Sequence, residues 1–273
     1  MKLLCSVLLP FAFACAAGAA PGGDDTFMLR GATVHTMAGA EIQNGSVIVR
    51  NGKIIGVGKN LAPPKDVKVI DGKGLQVYPG MIDAATEVGL VEVNSVRETQ
   101  DLSELGKFNP QLVALTAVNP SSEHIPVTRY NGITAVATMP EGQLIGGQVS
   151  LIHLDGWTTA EMGVKPRAGL HMTMPAIRSL RGPGQAIGFT EARRNFEKEM
   201  AELDEFFEAA RRYKQAKEAK PANFKPDLRL EAMIPVLEGK EPVMVSVVKE
   251  REIRDAIAFS DKQKIKIILC DAP

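Results

Sequence analysis

The sequence predicts an α/β chain: a small all-β unit over about residues 27 to 77, then strands and helices with parallel strand pairing. Three observations predict it. Between residues 27 and 77, short apolar runs are divided by Gly and Asn turns, the punctuation of hairpins. At Pro79-Gly80 the pattern changes, and Met81-Ile82-Asp83-Ala84-Ala85 reads as a buried strand opening a new domain. From residue 243 to 270 the chain reads strand, helix, strand, a spacing that makes a βαβ unit with parallel strands.

The elements follow in order. Residues 1 to 20 read as a signal peptide: Lys2 supplies a positive start, Leu3 to Ala17 are almost wholly apolar, and Ala17-Gly18-Ala19 is a small-x-small cleavage site. The apolar run is short of the ~20 residues a membrane span needs. The chain is therefore expected to be exported, to the periplasm or outside the cell. A lipoprotein reading through Cys15 is disfavoured by Ala12, which stands where a lipobox wants Leu. Pro21 to Asp25 form a short polar linker. In the β-unit, apolar residues at 28, 32, 34 and 37 alternate loosely. Ser46 to Arg50, Asn51-Gly52 and Lys53 to Gly58 form a strand, a hairpin turn and a return strand. Val67 to Ile70 and Leu75 to Tyr78 suggest a third pair around the turn Asp71 to Gly74.

After Ala85 come a long loop, a helical stretch near Pro110 to Val118, and a short helix from about Ser121 that Asn131-Gly132 caps in αL geometry. Ile133 to Met139 is a β-branched strand, and Gly146 to Leu154 reads as a hairpin arm. Thr190 is placed to cap a long helix running to about Ala219. Its apolar face is Phe196, Met200, Leu203, Phe207, Ala210 and Tyr213, and its other face is charged and solvated. Last come a strand at Val243 to Val248, a helix at Glu250 to Gln263 with Ile253, Ala256 and Ile257 inward, and a strand at Lys264 to Cys270.

Composition sets the bounds on function. The 273 residues, 45% hydrophobic, are enough for a real core in one or two domains. With 32 basic and 32 acidic residues, nothing calls for nucleic acid or an anionic membrane as partner. Aromatic residues are only 5%, too few for a stacking platform for single strands. Cys5 and Cys15 lie in the signal, so Cys270 remains alone, and its apolar setting reads as a buried structural thiol.

Two runs carry a family resemblance. Gly45 to Gly58 resembles the opening β-sandwich of amidohydrolase-superfamily enzymes. Val69 to Ala84 resembles the passage from that sandwich to the first barrel strand in imidazolonepropionase-, dihydroorotase- and prolidase-like members. Asn131 to Val136 resembles the second barrel strand. His153-Leu154-Asp155-Gly156-Trp157 is similar to a pattern of exported imidazolonepropionase-like relatives. The resemblance covers most of the mature chain and is to the N-terminal half of such an enzyme. It implies part of a composite β-sandwich over 27 to 77. Over 78 to 273 it implies an incomplete (half) TIM-type β/α barrel of about four strands, ending near 85, 139, 248 and 270. It also implies a family activity, metal-dependent hydrolysis of C–N bonds of cyclic or non-peptide amides.

The resemblance assigns zinc-binding histidines to the end of the first barrel strand, as Asp-x-His-x-His. Two histidines two residues apart on a strand share a face. Here the stretch is Asp83-Ala84-Ala85-Thr86-Glu87, so Ala85 and Glu87 fill the histidine positions. Alanine ligates nothing, and one carboxylate does not replace two imidazoles. Glu87 reads as a solvated loop residue. His35, His124, His153 and His171 are scattered and read as packing or surface residues, with His124 outside the barrel in the family layout. The family's later metal histidines come from strands five and six and its catalytic aspartate from strand eight, none of which can be counted here. No zinc, no other cofactor and no catalytic residue are therefore assigned to this chain. Asp83 and Glu87 as an acid–base pair would be a new site, but four residues apart at a strand end they need not converge.

The resulting expectation is an amidohydrolase-related chain inactive alone, with open parallel edges. Its partner is a complementary chain supplying the rest of the barrel, as in a split hydrolase, or a further copy of itself. No nucleic acid is expected, and no membrane after signal cleavage. The alternative is a binding or scaffold protein on the same fold.

Overall fold

The computed structural model describes residues 26–65, 67–178, 181–182, 185–186, 188–219 and 223–271. The signal-peptide reading and the linker at 21 to 25 fall outside the described residues. The chain divides into two compact units, one up to Pro79 and one from Gly80.

The first unit is a sheet of β1 (Phe27–Val34), β2 (Ile42–Arg50), β3 (Lys53–Lys59), β4 (Lys68–Asp71) and β5 (Gln76–Val77), in the order β3-β2-β1-β4 with β5 also beside β1. The β2–β3 hairpin turns at Asn51 and Gly52, with φ of 51° and 72°, the left-handed pair that a tight two-residue hairpin requires. The predicted third pair is different. β4 and β5 do not pair with each other; both run parallel to β1, at Phe27–Arg30 and at Thr33–Val34. Between these stretches β1 is kinked at Gly31, whose φ is +87°, so one strand serves two short neighbours. Ala32, Val34 and Val47 form the unit's core, against Leu29, Ile42, Val49 and Val77. Ile54, Ile55, Val69, Ile70, Leu75 and Tyr78 stay exposed.

The second unit is built on a six-stranded sheet of β6 (Met81–Thr86), β7 (Ile133–Thr138), β8 (Ile145–His153), β9 (Gly163–Thr173), β12 (Val243–Ser246) and β13 (Ile267–Cys270), in the order β13-β12-β9-β8-β7-β6. A small ribbon, β10 (Arg181–Gly182) with β11 (Gln185–Ala186), stands apart. The pairs β6–β7, β9–β12 and β12–β13 are parallel, and β8 runs antiparallel to both β7 and β9. The sheet curls as part of a β/α barrel. All four expected strands lie in it with one direction. A fifth parallel strand, β9, joins them and was not foreseen.

The helices are α1 (His124–Tyr130), α2 (Thr159–Met162), α3 (Phe189–Glu218), α4 (Leu228–Ala232), α5 (Ile234–Leu237) and α6 (Glu250–Gln263). The left-handed residue after α1 is Gly132, at φ +90°. The stretch from Pro110 to Val118 holds only a 3-10 turn at Ala114–Thr116. Its backbone is committed to β8: Gln148 N–H donates to Leu112 O at 2.7 Å, and Leu115 N–H to Ser150 Oγ at 2.9 Å. α3 starts one residue before Thr190, with Gly188 at the N-cap and no side-chain cap. Its expected face holds: Leu203, Phe207, Ala210 and Tyr213 are buried. On α6, Ala256 and Phe259 are buried, but Ile257 is 46% exposed and not inward.

Two layers of core flank the sheet. The outer layer joins Leu170, Met172, Val243 and Val245 to Leu203 and Phe207 of α3 and Ala256 and Phe259 of α6, with Phe207 edge-on to Phe259 at 5.3 Å. The Ile267 and Leu269 side chains of β13 pack against it, while Ile268 is 49% exposed. A second, smaller cluster joins Ala137, Val149, Met244 and Cys270 with Ala85 and Met139. Cys270 is buried as read from sequence, and burial pushes its thiol pKa up, with Asp271 adding to the shift.

Candidate functional site

Parallel strands deliver their C-terminal ends to one side of a sheet, which is where a β/α barrel carries its chemistry. Here the ends of β6, β7, β9, β12 and β13 border a cavity of about 700 Å³. Glu87 follows β6, Glu141 follows β7, His171 and Thr173 end β9, Ser246 ends β12 and Asp271 follows β13. Glu92, His124 and Arg178 add charged or polar groups to the wall.

Two groups of polar side chains line the cavity. The first is Glu87 and Glu141, both exposed. Partial burial pushes the Glu87 carboxyl above its ordinary range, and the neighbouring Glu141 and Asp271 carboxyls push it further. In the second, His171 Nε2 lies 3.0 Å from Ser246 Oγ, which donates to Asp271 Oδ2 at 2.9 Å. A serine hydroxyl has one proton, so with that proton on Asp271 the imidazole must be the Nε2–H tautomer and donate to Ser246. Nδ1 then has no hydrogen-bond partner. His171 is 3% exposed, and burial holds its pKa below the ordinary imidazole value, against smaller upward pulls from Pro140, Glu141 and Asp271.

The residues do not fit a zinc ion. Ala85 presents only a methyl, packed with apolar neighbours. Glu87 offers a single carboxyl in place of an imidazole. Among the described residues no three His, Cys, Asp or Glu side chains are grouped to hold a metal. Asp83 does not join Glu87 in the cavity; its Oδ1 accepts from Ala85 N–H at 3.2 Å.

The histidines sort differently from the sequence reading. His35 stacks on Tyr78 at 4.3 Å and bonds Gln76, a packing role in the β-unit. His153 is an exposed strand-end residue. His124 is not confined to the outside: it lines the cavity, with Nε2 2.8 Å from Glu92 O. His171 is a cavity residue on the strand that was missed. Glu87 is an exposed loop residue, as read from sequence, and it also lines the cavity. Glu141, Ser246 and Asp271 were not singled out either. The available signal was position: Ser246 falls within the strand expected at 243 to 248, and Glu141 and Asp271 stand within two residues of the ends expected at 139 and 270.

No protein-family model matches the chain. Among solved structures, it is similar to an amidohydrolase from Thermotoga maritima, with a TM-score of 0.75, 24% identity, and 89% of this chain matched to 63% of that one. The chain thus spans 63% of the length of that amidohydrolase. A prolidase complexed with N-methylphosphonate-L-proline overlays at TM-score 0.40 and 13% identity, with 89% of this chain matched to 60% of that one. A D-hydantoinase overlays at 0.33 and 16%, over 89% of this chain and 56% of that one. The first likeness shows that the chain has the fold of an amidohydrolase.

Proposed function

We propose that this chain is an amidohydrolase-related protein that does not hydrolyse C–N bonds by itself. One observation carries this: the strand end that would present two metal-binding imidazoles presents the methyl of Ala85 and the single carboxyl of Glu87. Without a held metal, water at that place is not activated at neutral pH. The test is turnover of cyclic amides, ureas, imidazolones and dipeptides by the purified chain with added zinc. No rate above background is expected. A rate abolished by Glu87→Gln would overturn the reading.

A second reading rests on the sheet edges. Among the described residues, β6 and β13 each have a hydrogen-bonded neighbour on one side only. Unpaired edges accept further strands. We propose that strands supplied by another segment, in cis or in trans, complete the barrel, and that a catalytic role belongs to that assembly. A non-catalytic binding role would use the same cavity without it. Co-purification with a chain carrying the remaining strands, assayed for turnover, distinguishes the two. We further propose export, on the pattern of Lys2 to Ala19; N-terminal sequencing of the processed protein tests it. The balanced charge supports neither nucleic acid nor an anionic membrane as partner.

A further inference from the structure

We propose that the strand-end cavity binds an aliphatic polyamine, a flexible chain of methylene groups carrying several protonated amines, through the carboxyls of Glu87, Glu141 and Asp271. The proposal deepens the non-catalytic binding reading of this cavity and rests on it.

Charge gives the sign of the ligand. Four carboxyls, those of Glu87, Glu92, Glu141 and Asp271, line the cavity against one guanidinium, that of Arg178. Among the described residues none of the four forms an ion pair. A cleft lined by one sign of charge concentrates ions of the other. Spacing gives the kind of cation. No three His, Cys, Asp or Glu side chains among the described residues are grouped closely enough to hold a metal ion. The acids instead follow separate strands around about 700 Å³ of space. A chain with its charges spread along it meets such a set; a point charge does not. The rest of the wall includes the apolar Ala85, Val88, Val91 and Met139. Methylene groups cover such a surface as the stems of long charged side chains do.

His171 is the independent sign of an occupant. Leu170 and Met172 on either side of it belong to the outer core. Side chains alternate along a strand, so His171 faces the cavity that it lines. It is 3% exposed, and its Nδ1 has no hydrogen-bond partner. With Nε2–H donated to Ser246, Nδ1 is an acceptor left without a donor, which an amine N–H, direct or through one water, would supply. Burial holds the imidazole neutral, so it does not repel a cation. Through Ser246, whose Oγ donates to Asp271 Oδ2 at 2.9 Å, it also fixes one carboxylate in the wall.

Calorimetric titration of the purified chain with spermidine tests this, with hydrolysis assayed on the same preparation. Saturable binding is expected. Glu141→Gln and Asp271→Asn should each weaken it about three- to fivefold, the scale of one exposed ion pair. Glu208→Gln, on the outer surface of α3, should leave it unchanged. Absence of saturable binding would overturn the proposal. So would equal weakening in Glu208→Gln, or full displacement by magnesium at the same concentration of charge, because screening alone would then account for the heat. Asp271→Asn also alters the bond from Ser246; if that variant does not fold, Glu141→Gln, at an exposed side chain, decides. Hydrolysis by the chain would count against the non-catalytic reading whatever spermidine does, so the two failures are distinguishable.

Discussion

The methyl of Ala85 packs with Ala137, Val149, Met139, Met244 and Cys270 beside the cavity. An imidazole at this position would have to displace those neighbours before it reached a metal, and crowding a packed core costs typically 1–3 kcal/mol. Ala85→His combined with Glu87→His is therefore expected to lower the melting temperature and to bring no tight zinc. Metal analysis after dialysis checks it; near-stoichiometric retained zinc would refute the fit argument. His171 gives a second prediction at this scale. Its pKa is depressed by burial, so as pH falls through the ordinary imidazole value of about 6.5 the unfolded chain takes up a proton that the folded chain refuses. Stability should fall on that side. Glu87 has the opposite sign: its raised pKa gives stability that is present below the ordinary glutamate range and lost as pH rises through the folded value. Thermal melts across pH separate the two. His171→Gln should flatten the loss near pH ~6.5, and a wild-type curve identical to that variant's would count against the assignment.

Elements differ in how legible they were. α3 shows its apolar face at three- and four-residue steps, and its burial follows that face. The Asn51-Gly52 hairpin was legible because its turn needs two positive φ values that few residues supply. β9 was not, because Pro166 and two glycines punctuate it. The structure accommodates them with a register shift: Val149 pairs with Gly169 and Leu151 with Lys165, so Pro166 sits where the ladder is interrupted. Ser150 Oγ donates to Pro166 O at 2.8 Å across the gap. Missing β9 meant missing His171 and Thr173 as cavity residues. The β7–β8 turn supplies this scale's prediction. Gly142→Ala places a Cβ against Gly146 backbone, which cannot rotate away. The expected result is a loss of about 1–3 kcal/mol. An unperturbed melt would show that the turn yields. In the outer layer, Phe207→Ala removes the fully buried ring that contacts Phe259. Chemical denaturation should register a loss of about 3–5 kcal/mol.

For the whole molecule, the question is what the uncovered apolar surface does in solution. Among the described residues, the six-stranded sheet of the second unit has its edges at β6 and β13, without a further strand beside either. Beside them Met81, Ile82 and Ile268 are 55%, 64% and 49% exposed. The β-unit exposes Ile54, Ile55, Val69, Ile70 and Leu75 as well. Burying one such Ile or Leu fully is worth roughly 1.5–3 kcal/mol, against a net stability of about 5–15 kcal/mol for a typical domain. Association that covers several of them therefore competes with folding on equal terms. Ile267 and Leu269 already pack on the outer core, so the drive is smaller at β13 than at β6, where two adjacent apolar residues are bare. The isolated chain is accordingly expected to associate as its concentration rises, and to do so through β6. Charge at an edge opposes strand addition, so Ile82→Lys should restore the monomer in sedimentation velocity while Ile268→Lys has the lesser effect. Because both side chains are exposed, neither substitution should lower the thermal midpoint measured at high dilution. A wild-type chain that stays monodisperse and monomeric across that range, with a sharp cooperative melt, would mean that these surfaces need no cover.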